Sequence, residues 1–132
     1  MRKILFIDRS HPVLPERLKA LGYDCHFHFD TPREELEQLL PEFFGIVMRS
    51  RISIDADFID KKGNLQFIAR EGVGVEHIDV AYAESQGVQI INSPEGSRDT
   101  VGEHALGLLL ALLNNIPRSD RQVRQGEWIR EA

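Results

Sequence analysis

Short apolar runs along this chain alternate with stretches whose apolar residues recur at helical spacing, so the pattern predicts a succession of β–α units. Lys3–Ile7 is predicted to be the first strand. Val13, Leu14, Leu18 and Leu21 then fall on one helical face, and Gly22 is placed to end that helix. Asp24–Phe29 is a second strand, polar enough to lie at a sheet edge. Thr31-Pro32-Arg33-Glu34 reads as a helix start, with Thr31 as cap, Pro32 at the first helical position and Glu34 completing a capping box. Gly45–Met48 is the third strand, and Asp55 can cap a helix through Lys61 with Gly63 just beyond it. Leu65–Arg70 is the fourth strand, and a helix around Val80–Ser85 leads to the fifth, Val88–Ile91.

Strands alternating with helices imply parallel pairing. The expected architecture is α/β: a flavodoxin-like, five-stranded parallel sheet with helices on both faces, in the strand order 2-1-3-4-5. After Pro94 the pattern changes. Thr100–Leu113 is expected to form a helix on which Val101, Ala105, Leu106, Leu108, Leu109, Leu110, Leu112 and Leu113 wrap nearly the whole circumference. A helix of that kind needs cover on several sides, from another domain or another subunit. Past Pro117 the chain is polar, with Trp128 its one large apolar group, and the last fifteen residues read as an incomplete element. The expected division is therefore a domain over residues 1–96 and a linker helix with the start of a second domain over residues 97–132.

Composition narrows the function classes. A net charge of −5 argues against a nucleic-acid partner, because phosphate binding needs a basic surface. The lone Cys25 excludes an internal disulfide framework and a cysteine-based zinc cage, and it suits a reducing cytoplasm. The apolar run Ile4–Ile7 is too short for a secretory leader or a membrane span, so a soluble cytoplasmic protein is expected.

Two predicted strand ends carry the candidate chemistry: Arg49-Ser50-Arg51 after the third strand and Arg70-Glu71-Gly72-Val73-Gly74-Val75 after the fourth. In open parallel sheets, ligands bind outside the carboxyl ends of the strands near a switch in strand order. Glycines at 72 and 74 let backbone N–H groups converge on an anion, and an arginine fork matches a carboxylate. The plainer alternative is a tight strand-to-helix turn beside solvated arginines. A dinucleotide fingerprint is excluded, because His77 stands where its third glycine is needed. A phosphorylation receiver is a poor fit too, since the third strand runs into Arg49 rather than a phosphoacceptor aspartate. His26 and His28 share one face of an edge strand, a weak metal signal, and no metal site is expected. His104 follows Glu103 in the apolar helix, and its expected role is a structural hydrogen bond at a buried helix contact.

Leu65–Asp79 resembles a segment of the D-isomer-specific 2-hydroxyacid dehydrogenases. So do Gly87–Pro94, Val101–Leu106, Ile116-Pro117 and Gly126-Glu127-Trp128, in order and spacing. Arg49-Ser50-Arg51 looks most like the phosphoglycerate dehydrogenase branch. The resemblance implies a substrate domain and a Rossmann cofactor domain around a cleft. It implies that backbone groups of Val73 and Gly74 meet the substrate carboxylate, and that Arg49 or Arg51 meets another anionic part. Ser97 stands where the family usually has an asparagine near the substrate, and Glu95 where a small residue is common. Thr100 and Val101, at the start of the apolar helix, would approach the nicotinamide of NAD, and Thr100–Leu113 would form a homodimer contact.

The family's cofactor fingerprint and its catalytic arginine, glutamate and histidine come later than Ala132, so no residue here is assigned a catalytic role. The expectation is the substrate-binding part of an enzyme interconverting a D-2-hydroxyacid and a 2-oxoacid, with 3-phosphoglycerate favoured, inactive by itself. The alternative is a non-catalytic module that binds small acids or serves assembly.

Overall fold

The computed structural model describes residues 1–129. Its elements run β1 (Lys3–Phe6), α1 (Val13–Ala20), β2 (Asp24–Phe27), α2 (Arg33–Leu39), a 3-10 turn (Leu40–Glu42), β3 (Gly45–Met48), α3 (Ala56–Ile59), β4 (Phe67–Arg70), α4 (Val80–Ser85), β5 (Gln89–Ile91), α5 (Glu95–Leu113) and α6 (Ile116–Arg124). The strands form one parallel sheet in the order β2-β1-β3-β4-β5, which is the expected order. The chain divides into two compact units, Met1–Gly96 and the segment from Ser97 onward.

Side chains alternate across a strand, so each strand feeds both faces of the sheet. Leu5, Ile7, Ile46, Met48 and Ile68 point to one face, where Leu36 of α2, Phe58 and Ile59 of α3 and Ala83 of α4 bury against them. Ile4, Phe6, Val47 and Cys25 point to the other, against Leu14 and Leu18 of α1. Phe6 and Phe58 are fully buried. The removal of such side chains from water is the main favourable term in the fold, about 1.5–3 kcal/mol for each large one.

Local signals worked unevenly. Gly22 takes φ +86 past the end of α1, and the amides of Gly22 and Tyr23 close on the carbonyls of Lys19 and Leu18. That is the paired closure a glycine at this position permits. β3 has the bounds the sequence predicts, and the other four strands are one or two residues shorter. The helix capped by Asp55 stops at Ile59 rather than Lys61, although Asp55 does accept from the Phe58 amide at 3.0 Å.

The expected cap at Thr31 does not form. Pro32 takes the cap position of α2 with no side-chain bond, and the Thr31 hydroxyl lies 3.4 Å from His28 Nδ1. The Thr31 carbonyl is held by Arg51 at 2.8 Å, which turns this segment toward the loop after β3. Beyond Pro117, part of the stretch read as an incomplete element is helix α6, with Pro117 in its first turn. The last residues of that stretch, 130–132, lie outside the described residues.

Charged side chains lace α2 to α3. Arg33 donates to both oxygens of Asp55, at 2.9 and 2.5 Å, and to Glu37 at 2.8 Å. Lys61 closes the network on Glu37. The Arg33 hydrogen bond, helped by the Phe58 amide, lowers the Asp55 carboxyl to about 2. Lys61 and then Arg33 hold Glu37 below its usual range as well. Both folded-state values lie below the unfolded ones, so this stabilisation is present above the ordinary carboxylate pKa of about 4. It is lost as the pH falls toward 2. Thermal melts of the parent chain and of Asp55→Asn from pH 7 to pH 2 should therefore start apart and converge at the acid end. A gap that stays constant with pH would contradict the network.

Candidate functional site

All five strands are parallel, so their carboxyl ends emerge at one edge of Met1–Gly96. The chain passes from β1 outward to β2 and then back across to β3, which puts the switch in strand order between β1 and β3. Asp8, just past β1, spans that crevice. Its Oδ2 accepts the Arg49 backbone N–H at 2.6 Å, and its Oδ1 lies 3.7 Å from Arg51 Nε.

The two arginines after β3 have separate situations. Arg51 Nε donates to the Ile7 carbonyl at 3.1 Å, Nη1 to Thr31 at 2.8 Å and Nη2 to His28 at 3.3 Å. Its guanidinium thus ties the end of β1 to the loop after β2. Arg49 is exposed, and its guanidinium makes no hydrogen bond or ion pair among the described residues. Arg49 is therefore the arginine left open to a ligand. Nothing in the sequence separates the two; only the carbonyls around Arg51 do.

One strand over, β4 ends in Arg70 and the chain turns through Gly72-Val73-Gly74. The Glu71 amide donates to the Met48 carbonyl at 2.8 Å, and Ser10 Oγ donates to the Glu71 carboxylate at 2.8 Å. Gly72 has φ +148, and a Cβ there would fall 1.4 Å from Arg70 Nη1, so the arginine head lies over the glycine. Arg70 Nε is buried without a partner among the described residues. A Cβ on Gly74 would fall 2.3 Å from a carboxylate oxygen of Glu76, so one acidic side chain lies close to this turn.

The end of β5 holds the turn from one side. The Ser93 amide donates to the Gly72 carbonyl at 2.8 Å, and Asn92 Nδ2 donates to the Val73 carbonyl at 2.7 Å. Each of these peptides is trans, so its N–H points away from its carbonyl. With both carbonyls held toward β5, the N–H groups of Val73 and Gly74 both face away from it. Neither has an acceptor among the described residues. Two unpaired amides on one side of a glycine turn make a concavity for an anion. Val73 is itself 42% exposed.

Ser97, Thr100 and Val101 lie in α5. That helix begins at Glu95, directly after Pro94, so Thr100 and Val101 sit in its second turn rather than at its start. Apolar periodicity is absent from Glu95–Asp99, which is why the spacing placed the helix start too late. Ser97 is half-buried; Thr100, Val101, Glu103 and His104 are exposed. His26 and His28 do lie at a sheet edge. His26 bonds Asp24 at 2.8 Å, both rings meet Phe43 edge-on, and no cluster of three metal-ligating side chains occurs among the described residues.

Residues 4–126 match the family described as D-isomer specific 2-hydroxyacid dehydrogenase, catalytic domain. The chain belongs to this family. D-3-Phosphoglycerate dehydrogenase of Archaeoglobus fulgidus is 41% identical over 129 residues, which are 98% of this chain and 24% of that protein. Hydroxypyruvate reductase of Thermotoga maritima is 37% identical over 100 residues, 76% of this chain and 33% of that protein. The matched part of this chain thus spans about a quarter of the first relative's length and a third of the second's. Among solved structures, the PH0520 protein of Pyrococcus horikoshii superimposes with a TM-score of 0.87 at 23% identity, over 97% of this chain and 38% of that one. NAD-dependent formate dehydrogenase of Staphylococcus aureus, solved with NAD, gives 0.74 at 24% identity over 98% of this chain and 43% of that one. These two likenesses bear on the fold.

Asp8 and Asn92 escaped the reading of the sequence. Each had a local signal, a polar residue directly after an apolar strand, but its partner was 41 or 19 residues away. No helix among the described residues is long and apolar enough to cross a membrane.

Proposed function

We propose that this chain is the substrate-binding part of a dehydrogenase that moves a hydride between NAD(H) and a D-2-hydroxyacid/2-oxoacid pair. The observation that carries the reading is the pair of unpaired, like-directed amides at Val73 and Gly74, one strand from the open Arg49 guanidinium. The amides take the carboxylate common to both members of the pair. Arg49, bidentate and permanently charged, takes a second anionic group, which favours a phosphorylated acid such as 3-phosphoglycerate. Hydroxypyruvate, the substrate named for the Thermotoga maritima relative, is the unphosphorylated alternative. Ser97 offers one hydroxyl to the substrate.

NAD supplies the hydride chemistry when bound. Thr100 and Val101, both exposed, are the candidate contacts to its nicotinamide. No glycine-rich pyrophosphate loop occurs among the described residues, since His77 stands where the third glycine would be. We assign no catalytic residue and no metal. The homodimer contact through Thr100–Leu113 and a cytoplasmic location belong to the same proposal.

Acid binding is the direct test. Adding D-glycerate to the ¹⁵N-labelled chain should shift the Val73 and Gly74 amide signals saturably, with a Kd of roughly 1 mM or weaker, about −4 kcal/mol. The methyl ester, which lacks the carboxylate charge, should leave both signals in place. The reading fails if D-glycerate leaves them unmoved, or if the ester moves them equally.

A further inference from the structure

We propose that Asn92 is a positioning residue of the acid-binding turn, whose side-chain amide decides which way the Val73–Gly74 peptide faces. The proposal rests on the carboxylate reading above.

The two peptides of the turn are held by unlike means. The carbonyl of Gly72 is held by the backbone amide of Ser93, which any residue except proline would supply at that position. The carbonyl of Val73 is held by the Asn92 side chain, its one hydrogen-bond partner among the described residues. A carbonyl oxygen only accepts, so Asn92 must present its NH2 group and keep its own oxygen turned away. An aspartate at this position could not make the bond.

The hold matters because the turn is otherwise free to reverse. Gly74 lies on one side of the Val73–Gly74 peptide, and glycine accepts the backbone angles of either orientation at little cost. Gly72, at φ +148, already occupies backbone space that other residues avoid. Rotating the peptide through half a turn would replace the Gly74 N–H with the Val73 carbonyl oxygen on the ligand side. A carboxylate would then meet a negative dipole end instead of a donor. One exposed asparagine, 19 residues along the chain, selects the donor orientation.

The test compares the parent chain with Asn92→Asp, Asn92→Ala and Asn92→Gln, each titrated with D-glycerate while amide signals are followed. Asn92→Asp should weaken binding at least tenfold, because its carboxylate repels the Val73 carbonyl and attracts the N–H instead. Asn92→Ala should weaken it about threefold or more, and Asn92→Gln, which keeps a donor, should recover part of the loss. Before any acid is added, the Gly74 amide signal should already move in Asn92→Asp and Asn92→Ala while signals from β1 and β3 stay in place. A merely structural role would shift the sheet signals and the melting temperature together. Asn92 is exposed, so Asn92→Ala buries no new group and reads the same effect if Asn92→Asp fails to fold. Unchanged affinity and an unmoved Gly74 signal in the variants, with normal binding by the parent, would overturn the role of Asn92 alone. No response of Gly74 in the parent chain would overturn the carboxylate reading and this proposal with it.

Discussion

If the proposed homodimer forms through α5, glutamate in place of both Leu109 and Leu113 should leave a monomer, raising the dissociation constant at least a hundredfold. Leu106, Leu109, Leu110 and Leu113 recur along α5 at helical spacing, and Val101, Ala105, Leu108 and Leu112 form a second stripe beside them. No residue of α5 is buried, and Leu109 and Leu113 are 50% and 67% exposed. Contiguous apolar surface on this scale drives association. Covering one leucine side chain contributes about 1.5–3 kcal/mol, and a glutamate in its place carries a charge that resists leaving water. Two such changes exceed the roughly 2.7 kcal/mol that a hundredfold change in affinity requires. Sedimentation of both chains across a concentration series is the measurement. The homodimer proposal fails if the parent sediments as a monomer at high concentration, or if the double variant associates equally well. The core of Met1–Gly96 uses neither leucine, so its melting transition should stay in place and separate lost association from lost folding.

Gly72→Ala should abolish measurable binding of D-glycerate while leaving a folded sheet. Two effects act at this position. At φ +148 a residue with a Cβ is strained by about 1–3 kcal/mol, and the new methyl would fall 1.4 Å from Arg70 Nη1. The Arg70 head can swing aside, but the backbone strain can be relieved only by rotating the turn. That rotation takes the Val73 and Gly74 amides out of alignment. Calorimetric titration together with a thermal melt checks the outcome, which is loss of the acid signal with a modest drop in melting temperature. Retained affinity would mean that the turn does not hold the carboxylate.

The candidate site is marked in the sequence by two strand ends, and its division of labour is not. Arg49-Ser50-Arg51 and Gly72-Val73-Gly74 stand out in the sequence because arginines and paired glycines are unusual directly after apolar strands. Which arginine is open could not be read there. The two are chemically identical, and their difference lies in the carbonyls of Ile7, His28 and Thr31 and the carboxylate of Asp8, brought together only when β1, β2 and β3 align. Asn92 is the same case. Its neighbours Ser93 and Pro94 mark it as the end of a strand, and its bond to Val73 exists only because β5 lies beside β4. The start of α5 at Glu95 was missed for another reason, since a polar first turn carries no apolar period to read.

Sequence alone determined the class of this protein. Short apolar runs separated by helical patterns point to parallel strands with covering helices, and chain handedness then leaves few strand orders. The motifs from Leu65 to Trp128 likewise identified the family by order and spacing. Tertiary structure decided which polar groups are bound within the fold and which remain open, because hydrogen bonds between distant segments depend on positions that local pattern does not encode. It therefore assigned Arg51 to the scaffold, left Arg49 open, and turned two backbone amides to the same side.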